Sequence, residues 1–280
     1  GDTYANRMPD PVLQQVEHFN NPGITVNDAF KPVTKYFDRI TRPEQILQSL
    51  PQAVQTMLDP ADSGPACLSL CQDTQGEVYD YPEEFFKERT HSIRRPKPDD
   101  FQIKEAAEKI KNSKNPIIIS GGGVFYSEAM EELGFFATKH NIPVTQTVMG
   151  YSTMKRDHSH FLGPIGGLGG KAANNLAKKT DLAIAIGTKL ADFTTGSWAN
   201  FENPNFGLVS LNITRHDANK HLAQAVIGDA KVSLIDLSQA LGNWKAPDDW
   251  YKKSRDELKS WNEYVDKESG PCLLYTSDAA

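Results

Sequence analysis

The sequence is poor in cysteine, with three among 280 residues, at positions 67, 71 and 272. This number and the uneven spacing do not suit the disulfide framework that stabilises small secreted domains. Cys67 and Cys71 flank three residues of an apolar run, where two such side chains would share one strand face and pack into a core. We therefore favour a reducing, cytoplasmic location and expect core packing rather than metal binding for this pair.

Long hydrophobic runs are also missing, as is an excess of basic residues. No apolar run approaches the ~20 residues that a membrane-spanning helix needs, and the formal net charge is −6. A protein that binds nucleic acid needs a basic face against the phosphates, and none is visible here. With 39% hydrophobic and 24% charged residues, the chain is expected to form two globular domains that act on a small molecule, without nucleic-acid or membrane partners.

Several familiar catalytic patterns are absent. The sequence contains no G-x-S-x-G elbow, no H-E-x-x-H pair, no Walker loop and no spaced G-x-G-x-x-G. His158 and His160 lie two residues apart, but no acid or cysteine partners them, so we predict a solvated loop rather than a metal site. These absences leave the chemistry of the chain open.

The most informative stretch is 115–128, where an apolar run precedes three glycines and a helical pattern. Residues 117–119 are all isoleucine, which is typical of a strand buried on both faces of a parallel sheet. Gly121, Gly122 and Gly123 can adopt positive φ and carry no side chain, so a phosphate could approach the backbone there. A purely structural turn explains the same glycines, and both interpretations stay open.

After residue 100 the chain alternates between strand and helix patterns. Strands are predicted at 115–120, 142–147, 181–187, 207–213 and 226–227. Helices are predicted at 101–111, 127–140, 171–179, 231–241 and 249–265. This alternation predicts an α/β, Rossmann-like doubly wound domain over 101–245. The glycine loop at 163–170 could present helix amide groups to an anion, although close packing explains its glycines nearly as well.

The N-terminal part is less regular. Helices are predicted at 9–17, 27–37 and 41–58, and a buried strand at 66–70. Pro51 should kink or shorten the third helix, because proline lacks an amide donor. The stretch 79–100 is rich in proline and basic residues, which suggests an extended linker, and the domain boundary is placed there.

Several unusual strings resemble one enzyme family. They are GDTYANRMPDPVLQQ at 1–15, NDAFKPVTKY at 27–36, DRITRPEQ at 38–45, QDTQGE at 72–77, GGGV at 121–124 and GTKLADFTTGSW at 187–198. These strings are similar to those of thiamine-diphosphate-dependent enzymes, specifically the branch that hydrolyses a trihydroxycyclohexane-1,2-dione in inositol catabolism. The resemblance extends from residue 1 to about residue 245.

The resemblance implies an arrangement of domains. Residues 1–90 would be the C-terminal part of a pyrimidine-binding domain and 101–245 the central Rossmann-like domain, joined by a linker at 91–100. Residues 246–270 would form a helix leading to a diphosphate-binding domain, whereas 271–280 match nothing in the family and are expected to be non-native. The full-length enzyme would be a cytoplasmic homodimer or homotetramer.

The resemblance also implies the chemistry of a full-length parent. With thiamine diphosphate and Mg²⁺, such an enzyme would cleave a carbon–carbon bond of the cyclic dione and form 5-deoxyglucuronate. The family's catalytic Glu would precede Gly1, and its metal and diphosphate motif would follow residue 280, so this chain alone is expected to bind no cofactor and to be inactive. The sequence 228–230 (Gly-Asp-Ala) lacks the third glycine of that motif. An acetolactate-synthase-like carboligase and a non-catalytic nucleotide-binding module remain as alternatives.

The resemblance places one set of candidate residues at the mouth of the active site. This set consists of Phe30, Lys31 and Lys35. Two lysines four apart on a helix would project from one face and could together attract a polar dione. A solvated basic face is the alternative.

A second candidate set resembles the flavin site of acetolactate synthases. It consists of Gly121, Gly122, Gly123, Gly166, Thr188 and Asp192. Phe193 stands where a basic residue is expected, so an anionic diphosphate would lose a partner. We therefore expect a vestigial nucleotide cleft without FAD.

Overall fold

The computed structural model describes residues 1–7, 18 and 20–269. The predicted helix at 9–17 and the tail at 271–280 lie outside the described residues. The chain divides into two compact units, Gly1–Arg94 and Arg95–Ala280. No described helix is both long and apolar enough to span a membrane.

The first unit contains a small parallel sheet. Its main described elements are a 3₁₀ helix at Val26–Val33, β1 at Tyr36–Ile40, α1 at Ile46–Leu58 and β2 at Ala66–Leu70. Strands β1 and β2 pair in parallel, and α1 is the crossover between them. The strand predicted at 66–70 is therefore confirmed, but its predicted burial is wrong, since only Ser69 is buried and the other four residues are partly exposed. The third predicted helix begins with a short 3₁₀ turn and continues across Pro51.

The helix predicted at 27–37 is wrong over its second half. It ends at Val33, and the chain then enters β1. Pro32 lacks an amide donor, and the amide of Lys35 donates to the carbonyl of Pro65, just before β2, at 2.8 Å. Pairing with a distant strand therefore outweighs the local helical pattern.

A buried ionic network holds the start of the chain against this sheet. The fully buried carboxylate of Asp2 accepts hydrogen bonds from Arg39 Nε, at 2.7 Å, and from the hydroxyl of Ser69 on β2. Arg39 Nη2 also donates to Asp28 Oδ2, at 2.6 Å. Burial opposes ionisation of both carboxyls, but their hydrogen bonds, including one from Lys31 to Asp28, outweigh it and lower the pKa of Asp2 and of Asp28.

The cysteine pair lies on or beside β2. Cys71 is buried and Cys67 is partly buried, and both are free thiols. Burial, reinforced by the charges of Asp2 and Asp73, raises the pKa of the Cys71 thiol to about 11. Cys71 therefore acts as a neutral packing group, as its sequence position predicts.

The second unit contains one sheet of six parallel strands. The strands are β3 at Pro116–Ser120, β4 at Val144–Gln146, β5 at Phe161–Pro164, β6 at Leu182–Ile186, β7 at Gly207–Asn212 and β8 at Gln224–Ile227. Their order across the sheet is β5-β4-β3-β6-β7-β8, with every neighbouring pair parallel. This order confirms the predicted α/β, doubly wound fold.

The helices of the second unit include the five predicted ones and three short helices that are not predicted. They are α2 at Asp100–Lys111, α3 at Gly122–Tyr126, α4 at Met130–His140, α5 at Lys171–Ala177, α6 at Asp192–Thr195, α7 at Arg215–Ala218, α8 at Ala230–Leu241 and α9 at Asp248–Glu268. The three that are not predicted are α3, α6 and α7. The helix predicted at 127–140 begins only at Met130, because Glu128 adopts a left-handed φ of 53°. Strand β5 is not predicted, since it is short and ends in Gly163 and Pro164, which are typical of turns.

Alternate residues of β3 face two hydrophobic clusters. Ile118 belongs to the cluster formed with α2, α4 and α8, whereas Ile117 and Ile119 belong to the cluster that includes α5 and Trp250 of α9. All three isoleucines are fully buried. A strand covered by helices on both faces requires such an uninterrupted apolar run.

The solvated-loop interpretation is wrong for His160. This residue is buried, and its ring lies 4.6 Å from that of Tyr251 on α9, centroid to centroid. Burial, reinforced by the charges of His158 and Arg255, lowers the pKa of His160 to about 4. Asn141 ends α4 in a left-handed conformation, with φ 56°, and its amide oxygen lies 3.3 Å from His160 Nε2. His160 is therefore a neutral packing group beneath α9.

The substitution Asp2→Asn should destabilise the first unit. Removing the charge weakens the contact of Arg39 with its fully buried partner and leaves Asp28 as its carboxylate partner, at a cost of about 2 kcal/mol. Hydrogen exchange of the β1 amides in urea measures the stability of the first unit. Tryptophan fluorescence reports the unfolding of the second unit alone, because the tryptophans lie at 198, 244, 250 and 261. We expect faster exchange of β1 and an unchanged tryptophan transition.

The same substitution should make the first unit less sensitive to acid. Because folding lowers the pKa of Asp2 and Asp28, their stabilising effect is present above about pH 4 and is lost as the pH falls further. Hydrogen exchange of the β1 amides, corrected for its intrinsic pH dependence, should accelerate as the pH is lowered from about 5 to about 3. The acceleration should be smaller in Asp2→Asn than in the unsubstituted protein. Identical pH profiles for the two proteins would contradict the role assigned to this carboxylate.

Candidate functional site

The switch point of the large sheet lies between β3 and β6. From β3 the chain proceeds outward to β4 and β5, and it then returns to place β6 on the other side of β3. Open α/β sheets bind ligands at this point, outside the carboxyl ends of the strands. Gly121, Gly122 and Gly123 follow β3, and Gly187 and Thr188 follow β6. The fold thus brings these predicted cleft residues together.

The three glycines of the first turn are required by close packing. A Cβ atom on Gly123 would lie 2.6 Å from the Cα of Gly187, and one on Gly121 would overlap the Gly187 carbonyl. None of the three takes the positive φ that the sequence allows, whereas Gly187 does, at 59°. The amides of Gly121 and Gly123 donate to the carbonyls of Ile186 and Gly187, both at 2.9 Å. The turn's geometry favours the structural interpretation, because two of its donors are already used.

Gly166 joins the same region from the loop after β5. It has φ 103°, and a Cβ atom there would lie 2.9 Å from the Cα of Thr194. The side chain of Asn174 on α5 accepts from the amide of Gly166, at 2.9 Å, and donates to its carbonyl, at 3.0 Å. Asn174 is a residue that the sequence pattern does not identify, because its role depends on the loop folding back onto its own helix.

The start of α5 is not open to an anion. A Cβ atom on Gly170 would lie 2.9 Å from Trp261 Nε1, so α9 packs directly against this end of the helix. Lys171, the first residue of α5, lies with its ammonium 4.4 Å from the centre of the Tyr264 ring. Close helix packing therefore accounts for the end of the glycine loop.

The side chains of Thr188 and Asp192 take part in local hydrogen bonds. Thr188 Oγ1 accepts from the amide of Leu190, at 3.2 Å, and Asp192 Oδ1 accepts from the hydroxyl of Ser197, at 2.7 Å. Phe193 follows with its ring 67% exposed. This edge thus presents an apolar ring, rather than a cation, beside the candidate cleft.

Phe30, Lys31 and Lys35 lie in the first unit. The prediction that the two lysines project from one helix face is wrong. Lys31 is on the 3₁₀ helix, with Nζ 2.6 Å from Asp28 Oδ1. Lys35 lies beyond the end of that helix and pairs with Asp62. The two lysines therefore do not share a helix face. Phe30 is 51% exposed and precedes Lys31 directly.

The sequence 228–230 caps a helix, and its carboxylate is engaged in internal contacts. Asp229 caps α8 by accepting from the amides of Lys231, at 3.0 Å, and Val232, at 3.4 Å, and it also pairs with Arg95. In the part of the chain that the structure describes, no group of three or more His, Cys, Asp or Glu residues could hold a metal ion.

The substitution Gly123→Ala should disrupt the switch point. The new methyl group meets the backbone of Gly187, which cannot move without displacing β6, and overpacking of this kind costs about 2 kcal/mol or more. Gly134→Ala on α4 is the matched control, because a Cβ atom at Gly134 would contact only the His158 ring, at an ordinary distance of 3.5 Å. Urea unfolding, measured by tryptophan fluorescence, should show a lower free energy of unfolding for Gly123→Ala and no decrease for Gly134→Ala. Equal urea transitions for the two variants would contradict the packing role of Gly123.

Part of the chain matches a family of known proteins. Residues 103–237 match the family described as "Thiamine pyrophosphate enzyme, central domain". This segment contains the switch-point glycines, the glycine loop and the turn after β6. The matched region therefore coincides with the sheet that carries the second candidate set.

Curated relatives match almost the whole chain. Proteins named 3D-(3,5/4)-trihydroxycyclohexane-1,2-dione hydrolase are 47% identical over 263 residues in Clostridium perfringens strain 13 and 46% identical over 245 residues in Bacillus licheniformis. The alignments cover 94% and 88% of this chain but 41% and 38% of those relatives, respectively. The chain thus spans about two fifths of the length of the relatives it matches. Over residues 103–237, the chain is similar to the central domain of thiamine pyrophosphate enzymes.

Proposed function

We propose that the chain is part of an enzyme that hydrolyses 3D-(3,5/4)-trihydroxycyclohexane-1,2-dione. The observation that carries this proposal is the 47% identity to a hydrolase of that name over 94% of the chain. Because the alignment is longer than the central domain, it includes the first unit, where the candidate substrate residues lie. Hydrolysis of a carbon–carbon bond would open the ring to 5-deoxyglucuronate, in the cytoplasmic breakdown of inositol.

In this proposal the two units have different roles. Residues 1–90 are the C-terminal part of a pyrimidine-binding domain, and 101–245 are the central domain, with 91–100 between them. Thiamine diphosphate and Mg²⁺ are held by parts of the parent that this chain does not contain, and the parent is a homodimer or homotetramer. Residues 246–270 lead towards the diphosphate-binding domain.

The cofactor proposal predicts different behaviour of the chain and its parent. Titration calorimetry with thiamine diphosphate and Mg²⁺ should detect binding to the full-length parent and no micromolar binding to the 280-residue chain, because the proposal places the metal and diphosphate motif in other parts of the parent. The parent should hydrolyse the dione, and the chain alone should not. Micromolar cofactor binding by the chain alone would contradict this division.

The substrate proposal assigns Phe30, Lys31 and Lys35 to the mouth of the active site. In the full-length parent, Lys31→Met should lower kcat/KM for the dione by about tenfold, because an ammonium that attracts the polar ring is lost. Lys87→Met is the matched control, since Lys87 also pairs with a carboxylate three residues earlier and is comparably exposed. Steady-state kinetics should show no change for Lys87→Met; a Lys31→Met enzyme within about twofold of the parent would remove Lys31 from the site.

A further inference from the structure

We infer that Arg39 is a positioning residue, which fixes Phe30 and Lys31 through the carboxylate of Asp28. The inference rests on the proposed function, in which Phe30 and Lys31 line the mouth of the active site. Arg39 belongs to neither set of candidate residues, and the sequence pattern does not distinguish it from other charged residues. Its role follows from the contacts that it makes across the first unit.

Asp28 connects Arg39 to the 3₁₀ helix that carries Phe30 and Lys31. Asp28 Oδ2 accepts hydrogen bonds from Arg39 Nη2 and from the amide of Thr25, both at 2.6 Å. Asp28 Oδ1 pairs with Lys31 Nζ, also at 2.6 Å. Because the side chain of Asp28 is only 14% exposed, water competes weakly for these contacts. One carboxylate thus fixes both the first turn of the helix and its lysine.

Arg39 is itself held by the sheet. It lies on β1, and its Nε donates to the buried Asp2, which is bonded to Ser69 on β2. Its Nη2 also donates to Thr25 Oγ1, at 3.0 Å, and its Nη1 to the carbonyl of Gly23, at 3.3 Å. A planar guanidinium can bridge two carboxylates in fixed directions, whereas a single ammonium cannot reproduce this geometry.

Phe37 adds a second constraint on the lysine. Lys31 Nζ lies 5.0 Å from the centre of the Phe37 ring, and Arg39 Cζ lies 5.9 Å from it. Both cations are attracted to the ring as well as to Asp28. The side chain of Lys31 nevertheless stays 53% exposed, and an ammonium has three donors. Lys31 is therefore fixed in position and still able to bind a polar substrate.

Loss of the guanidinium should affect substrate binding more than bond cleavage. Without the bridge between Asp2 and Asp28, the 3₁₀ helix is no longer fixed relative to β1. Lys31 then occupies several positions, and the free energy of placing it beside the substrate rises. The expected kinetic signature is a higher KM with little change in kcat.

The test uses the full-length parent with Arg39→Lys, Lys31→Met and the double variant. Arg39→Lys should raise KM for the dione about fivefold or more, keep kcat within about twofold, and have a clearly smaller effect on KM when Lys31 is already replaced, because only the effect through Phe30 then remains. Hydrogen exchange of 26–33 should accelerate in Arg39→Lys even without substrate. If Arg39→Lys folds poorly, KM for the dione and the hydrogen exchange of 26–33 can be measured in Asp28→Asn instead.

Asp38→Asn is the matched control, because Asp38 precedes Arg39 on β1 but accepts its hydrogen bond from Ser49 on α1. It should reduce stability without changing KM or the exchange of 26–33. Additive KM effects in the double variant, or unchanged exchange of 26–33 in Arg39→Lys, would overturn the inference. A parent that does not hydrolyse the dione would instead reject the proposed function, and the exchange measurement would still decide what Arg39 does.

Discussion

The second unit depends on the contact between two glycine turns at the centre of its sheet. Gly123 and Gly187 approach so closely that a Cβ on either would lie 2.6 Å from the Cα of the other. This contact closes the gap between the turns after β3 and β6, which is where an open α/β sheet usually accommodates a ligand. Because the turns hydrogen-bond to each other, backbone donors that could face a phosphate instead hold the fold together.

The first unit is stabilised in a different way. Among its described residues, the buried hydrophobic side chains are Ile40, Ala53 and Cys71, which is a small core for a compact unit. Asp2 and Arg39 add to the stability that this small core provides, through hydrogen bonds that join the start of the chain to both strands. An ionic network has strict directional requirements, so it specifies the positions of its members more narrowly than apolar contact alone.

The sequence predicts the elements whose patterns are local. The isoleucines at 117–119 indicate a strand that is buried on both faces, and the structure confirms it. Strand β1 is not predicted, because its identity depends on pairing with β2, almost thirty residues away. His160 is missed for a similar reason: its partner Tyr251 is distant in sequence, and nothing nearby indicates burial.

The candidate sites show the same limit. Glycine in sequence indicates only that a side chain is not tolerated; the reason, whether positive φ, a ligand or a neighbouring backbone, is decided by the fold. For Gly121 and Gly123 the reason is the neighbouring backbone of the turn after β6. For Gly166 there are two reasons, its positive φ and the neighbouring backbone at Thr194. Likewise, the spacing of Lys31 and Lys35 predicts a shared face only if the helix continues, and it does not.

The family match and the proposed substrate come from different parts of the chain. The central-domain match covers residues 103–237 and accounts for the sheet, but the side chains around its switch point are engaged in internal contacts. The resemblance to the dione hydrolases extends over 94% of the chain and so includes the first unit. There Lys31 is exposed and yet held by Asp28. A positioned, accessible cation is what recognition of a polar ring requires, and the switch point offers none among its described candidate residues. The physical argument for substrate contact therefore favours the ionic network of the first unit over the nucleotide-type fold of the second.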